Sequence, residues 1–176
     1  FDLRYNILKD YNWNFNHVPF PIDADIPNVL GNWTYCGQKV DSPLGIAAGP
    51  LLNGRWLLYY ASLGFDILTY KTVRCSERLS YDLPNLQPIV WPELNKSLPK
   101  EIRASDEMKD SWAISFGMPS KPPRFWQDDV TKTKEQLGVG KFLCVSVVAT
   151  PEPHHSIEDL AADYSQCSKW AIDSGA

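Results

Sequence analysis

The chain has 176 residues, 44% hydrophobic and 22% charged, with a formal net charge of −4. That length suffices for one domain with a core of its own, and the absence of a basic cluster argues against a nucleic-acid partner. No run approaches the roughly 18 apolar residues of a membrane span.

Residues 1 to 35 show no sustained period. Tyr11, Trp13, Phe15 and Phe20, interleaved with Pro19, Pro21 and Pro27, read as an extended arm packed on a body. The first ten residues mix charges with apolar side chains, unlike a secretory signal. Tyr35 to Val40 reads as a short hairpin strand leading into Pro43. Leu44 to Ala48 is the first buried strand, which Pro50 prevents from continuing. Asn53 caps a helix from Gly54 to Leu63, with Trp56, Leu57, Tyr60 and Leu63 on its core face and Gly64 as its stop.

Phe65 to Thr72 is the second strand. The stretch from 74 to 111 is rich in proline and polar residues, and its piece Leu83 to Pro92 reads as a loop or hairpin over a site. Connections this long in a compact domain are usually functional. Arg74 and Arg78 read as part of a solvated charged loop there, the alternative being that they bind an acidic substrate group near the strand end. Trp112 to Met118 is a short apolar run, and Arg124 to Leu137 a helix. Lys141 to Ala149 is the third strand, nearly all apolar except Ser146. Ser156 caps the last helix, Ile157 to Ser174, with Glu158 and Asp159 favouring its dipole and Gly175 stopping it.

Cys36, Cys75, Cys144 and Cys167 lie far apart with no metal spacing. They read as reduced thiols of a cytoplasmic protein, with Cys144 buried in its strand. The sequons Asn32-Trp33-Thr34 and Asn95-Lys96-Ser97 matter only in a secreted chain. His154 and His155 read as a loop leading into the last helix, and no metal site is expected.

Alternating apolar strands and helices point to α/β architecture with a parallel sheet or barrel. The βα units fall short of a closed (β/α)8 barrel, so the chain is expected to be an N-terminal portion of something larger. Two features mark the strand C-termini, where α/β active sites lie. Ala47, Ala48 and Gly49 have almost no side chain and leave room for something flat. Lys71 puts a positive charge beside it, a residue expensive to bury without an anionic partner. The alternatives are tight packing of small residues and a lysine reaching solvent. Thr72 and Ser146 can each bond a ligand or the backbone, and Gly117 either lets a ligand approach or makes a turn.

These residues resemble the FMN-dependent dihydroorotate dehydrogenase family, which includes the pyrimidine-reducing domain of dihydropyrimidine dehydrogenase. Ser42-Pro43-Leu44-Gly45-Ile46-Ala47-Ala48-Gly49 is similar to the family's first barrel strand, whose end lies under the flavin. Asn53-Gly54 is similar to the opening of its first helix, and Lys71-Thr72 to its Lys-Ser pair. Pro84-Asn85-Leu86-Gln87-Pro88 resembles its Gly-Asn-Pro-x-Pro hairpin. Ser115-Phe116-Gly117-Met118-Pro119 resembles the Asn-Ser-Met-Gly-Leu-Pro loop that holds the pyrimidine, and Ser146 stands where the third strand supplies an Asn or Ser.

The resemblance implies an α/β fold comprising the N-terminal half of a (β/α)8 barrel. Residues 1–41 would form an arm and hairpin, and 42–176 the first βα units of a flavin-binding barrel. It implies FMN held by Ala47, Ala48, Gly49, Lys71, Thr72 and Ser146, and substrate held by Lys71, Ser115, Phe116, Gly117 and Met118. Hydride would pass from the CH–CH bond of a dihydroorotate or dihydropyrimidine-like substrate to flavin N5, with Lys71 stabilising the reduced ring. The base is expected beyond Ala176, so this chain alone is expected to be inactive. A homo-oligomer is expected at full length. Ile114 departs from the pattern, because it replaces the asparagine that bonds the pyrimidine. That opens two other readings: a flavin barrel enzyme with a non-pyrimidine substrate, and a non-catalytic binding protein derived from the barrel.

Overall fold

The computed structural model describes residues 5–23, 25–90, 101–107, 109 and 111–176. Asp10 accepts a hydrogen bond from Trp13 N (2.7 Å) and caps α1 (Tyr11–Asn16), within the segment expected to be extended. Six residues are too few to show a period. Four positions apart, Tyr11 and Phe15 nevertheless share one face and enter the core. Phe20, expected to pack on the body, is 87% exposed, because the extended chain there turns Pro19 inward instead. β1 (Trp33–Tyr35) and β2 (Gln38–Val40) form a hairpin. Cys36 and Gly37 make its turn at φ 48° and 77°, the positive values that a tight two-residue hairpin turn requires.

β3 (Gly45–Ile46) is shorter than the Leu44 to Ala48 expected, and Leu44 is 48% exposed rather than buried. Among the described residues the strand lies at a sheet edge and pairs only with β4 (Ile67–Val73). Between them runs α2 (Gly54–Ser62), whose N-cap Asn53 accepts from Trp56 N (3.1 Å), as its sequence predicts. The connection after β4 holds a small antiparallel sheet, with β5 (Leu86–Val90) between β6 (Arg103–Ala104) and β7 (Trp112–Ile114). The hairpin segment expected at Leu83 to Pro92 thus supplies the central strand of that sheet. Its Trp91-Pro92 end, like the sequon Asn95-Lys96-Ser97, lies outside the described residues.

α3 (Pro123–Gln136) opens on a proline, whose missing N–H costs nothing in a first turn. β8 (Phe142–Val147) then joins β4 in parallel, giving the order β3-β4-β8. α4 (Ile157–Asp173) begins with a capping box between Ser156 and Asp159. α2, α3 and α4 pack against β4 and β8, and the core between them holds Leu52, Trp56, Leu57, Leu68, Trp126, Val130 and Leu143. Cys144 is half-buried rather than buried. Strand alternation sends its neighbour Leu143 into the core and Cys144 to the other face, beside Tyr35.

Asp129 of α3 ties three elements together. Its Oδ2 accepts from Gly54 N at the start of α2 (2.8 Å) and from the Tyr70 hydroxyl of β4 (2.7 Å). Beside the carboxylate, burial pushes the Tyr70 phenol well above its ordinary range. Among the described residues no helix is long and apolar enough to cross a membrane.

Candidate active site

The pairing of β4 with β8 is interrupted where the site begins. Tyr70 pairs with Val145 and Val73 with Val147, so Lys71 and Thr72 together face the single residue Ser146. Such a bulge breaks the strict alternation of a strand. A flat strand would send these two neighbours to opposite faces; here both line one cavity of about 680 Å3 at the C-terminal end of β4. Thr72 Oγ1 and Ser146 Oγ share a hydrogen bond of 2.9 Å across the bulge.

Lys71 is 7% exposed. Its Nζ donates to Gly49 O (2.9 Å) and stands 5.0 Å from the centre of the Phe116 ring. Burial pushes the ammonium down from its ordinary 10.5 to about 8, and among the described residues no carboxylate offsets that cost. Beside Gly49 Cα nothing described lies within 4 Å of where a Cβ would be, so the cavity reaches the backbone there.

Ala48, Gly49, Lys71, Thr72, Ser115, Phe116, Gly117 and Met118 all line this cavity. Two of the residues expected at the site do not. Ala47 is exposed and outside the lining, and Ser146 touches the site through Thr72. Ile114 stands at the rim, 59% exposed. The wall from Ser115 to Met118 is gripped by Asn85, a buried residue just before β5. Ser115 N donates to Asn85 O (2.8 Å), and Asn85 Nδ2 donates back to Ser115 O (3.0 Å).

Gly117, at φ 74°, lies under the Tyr81 ring, whose carbons would come within 2.8–2.9 Å of an added Cβ. Gly117→Ala is therefore expected to cost about 1–2 kcal/mol from the left-handed backbone alone. It should also displace Tyr81 from the cavity wall; urea denaturation and tyrosine fluorescence check the two effects.

No protein-family model matches the chain. It is similar to a curated dihydroorotate dehydrogenase of Dictyostelium discoideum, 33% identical over 188 aligned positions that cover 98% of this chain and 50% of the relative. Among solved structures it is similar to a DHODH from Eimeria tenella crystallised with ferulenol. There the TM-score is 0.50 at 15% identity, covering 76% of this chain and 34% of the other. This is a partial dihydroorotate dehydrogenase-like chain. It spans half the length of the curated relative it matches. The likeness to the solved structure bears on the α/β fold alone.

For a dehydrogenase-like chain the question is whether these residues suit a flavin. A buried ammonium with no carboxylate beside it among the described residues, next to open backbone at Gly49, can take an electron-rich ligand edge. Lys71, Thr72 and the Ala48-Gly49 backbone are the lining residues that could hold such a ligand.

The sequence reading missed several residues around the cavity. Tyr5 and Ile7 reach the lining from the N-terminal segment, where no period marks them. Arg74, read as solvated, is 2% exposed. Its position directly after an apolar strand was the available signal, because an arginine there has core on either side. A second cavity of about 520 Å3 lies at the opposite strand ends, against the Lys141–Asp66 ion pair (2.6 Å).

Proposed function

We propose that the complete protein carrying this sequence is an FMN-dependent oxidoreductase acting on the CH–CH bond of a dihydroorotate or dihydropyrimidine-like compound. In this reading the chain supplies the N-terminal half of a (β/α)8 barrel. The observation that carries the reading is Lys71, a buried cation whose Nζ bonds a carbonyl, Gly49 O, in a cavity of flavin size. Similarity to a dihydroorotate dehydrogenase over nearly the whole chain supports it.

When bound, flavin supplies a hydride acceptor. The chain's own residues do the rest of what is assigned here. Ala48 and Gly49 form a floor with almost no side chain, Ala47 lying outside it, and Lys71 holds a positive charge at the ring edge that gains electron density. Thr72 and Ser146 orient one another's hydroxyls towards heteroatoms. Ser115, Phe116, Gly117 and Met118 form the substrate wall and exclude water from it. No proton-abstracting base is assigned to a residue of this chain. A small-molecule substrate, a homo-oligomeric full-length protein and a cytoplasmic location go with this reading.

Ile114 favours a second reading, in which the substrate is not a pyrimidine. Its side chain neither donates nor accepts, and a pyrimidine carbonyl left unpaired in a closed site costs about 1–3 kcal/mol. The visible spectrum of the complete protein, with and without dihydroorotate, separates the cases. A flavin spectrum that bleaches on addition is the expected result. Bound flavin that stays oxidised moves the substrate elsewhere, and absence of flavin favours a non-catalytic binding protein.

A further inference from the structure

Gly117 and Met118 are consecutive residues at positive φ, 74° and 48°. Glycine takes that conformation freely, but methionine does so only when something holds it. The holding group is Arg74. Its Nε donates to Met118 O (3.1 Å), while Nη1 donates to Ala149 O (2.9 Å) and Thr150 Oγ1 (3.0 Å) just past β8. Thr150 is fixed in turn, since its N–H donates to Asp163 Oδ2 on α4 (2.7 Å). The backbone of Arg74 is pinned as well, with its N–H donating to Ser120 Oγ (3.1 Å) and its carbonyl accepting from Trp126 Nε1 (3.1 Å).

We infer that Arg74 is a positioning residue that fixes the left-handed Gly117-Met118 turn and thereby the substrate wall of the cavity. The planar guanidinium spans from the strand ends to the loop and orients two donors at once, which a lysine ammonium cannot reproduce. All three bonds of its side chain go to neutral oxygens, on the site loop and on the segment after β8. The Asp163 carboxylate that holds Thr150 also acts on the guanidinium through space, without a hydrogen bond to it among the described contacts. The charge of the guanidinium strengthens the hydrogen bonds that shape the loop. Arg74's effect on the loop is independent of the oxidoreductase reading, whereas its effect on substrate affinity rests on that reading.

The test is hydrogen exchange followed by mass spectrometry on the complete protein, comparing natural chain and Arg74→Lys. Exchange in the peptide covering 113–121 is expected to rise about tenfold, with α2 (Gly54–Ser62) unchanged. Met118→Gly should rescue it, since glycine needs no help at positive φ: in that background Arg74→Lys should change exchange by less than about threefold. Unchanged exchange at 113–121, a rise of equal size in α2, or full additivity with Met118→Gly each overturn the inference. Should Arg74→Lys fail to fold, Thr150→Val removes one anchor without touching the loop. It should raise the same peptide's exchange about threefold, and no rise overturns the inference. In flavin-loaded enzyme, Arg74→Lys should raise KM about tenfold with kcat within about threefold. If the loop loosens but the natural protein holds no flavin, the oxidoreductase reading fails and the role of Arg74 stands.

Discussion

Replacing Lys71 with methionine is expected to lower substrate-dependent flavin reduction by about a hundred- to a thousandfold while making the protein more stable. The two effects share one cause. Among the described residues the buried cation Lys71 has no carboxylate partner, so the folded state bears a desolvation cost that an apolar side chain of similar length removes. The same charge, held beside a ring that gains electron density, is what the proposed reaction needs. A lysine kept for packing would show no such opposition between activity and stability. Thermal denaturation alongside single-turnover bleaching checks the pair, and activity and stability falling together would count against the proposed role.

The pH dependence follows from the direction of the shift. In the folded chain burial pushes Lys71 down to about 8 from its ordinary 10.5, so between those values the unfolded state binds more protons than the folded state. Stability due to this group therefore rises with pH across that window. The stabilising effect of Lys71→Met is largest below about pH 8, where the natural protein must bury the charge. It fades as pH approaches 10.5, where both folded and unfolded lysine are neutral. Binding of an electron-rich ligand should reverse the balance by drawing a proton onto Lys71. Flavin affinity of the apoprotein is accordingly expected to fall above about pH 8, by up to about tenfold per pH unit.

Elements with a long pattern were legible in the sequence. Asn53, Ser156 and Gly64 gave helix ends, Trp56 and Leu57 of the Asn53-capped helix are buried as read, and the parallel order of the strands followed from their alternation with helices. Of the small residues before Pro50, Ala48 and Gly49 line the cavity and Ala47 does not, and the lysine after Ile-Leu-Thr-Tyr lines it too. What the sequence hid depends on geometry that leaves no period. α1 is too short to show one, and the edge position of β3 is a property of the sheet rather than of Leu44 to Ala48. The bulge is the sharpest case. Alternation predicts that Lys71 and Thr72 point apart, and only the register against Val145 and Val147 brings both into one cavity. Arg74 was hidden for a related reason, since its acceptors lie on residues 44 and more positions away.

Gly54→Ala is expected to be among the most destabilising single substitutions in the chain, although alanine is the better helix former. At this first position of α2 an added Cβ would lie 1.8 Å from Thr133 Oγ1, 3.1 Å from Asp129 Oδ1 and 3.2 Å from Thr133 Cβ. Thr133 is buried on α3 and β-branched, and its hydroxyl is committed to Asp129 O (2.6 Å), so it cannot swing aside. Relief then requires α2 and α3 to separate. That also stretches the bond from Gly54 N to Asp129 and loosens the carboxylate that holds Tyr70. The expected loss is about 3 kcal/mol, at the upper end for overpacking, against the ~1 kcal/mol that alanine gains in a helix. Thr133→Ala removes the offending oxygen and by itself should cost about 1 kcal/mol. Combined, the two should be less destabilising than Gly54→Ala alone, because the remaining contacts need a shift of only a few tenths of an ångström. Urea denaturation of both single variants and the double variant reads this coupling, and simple additivity would mean that α2 and α3 do not meet at this glycine.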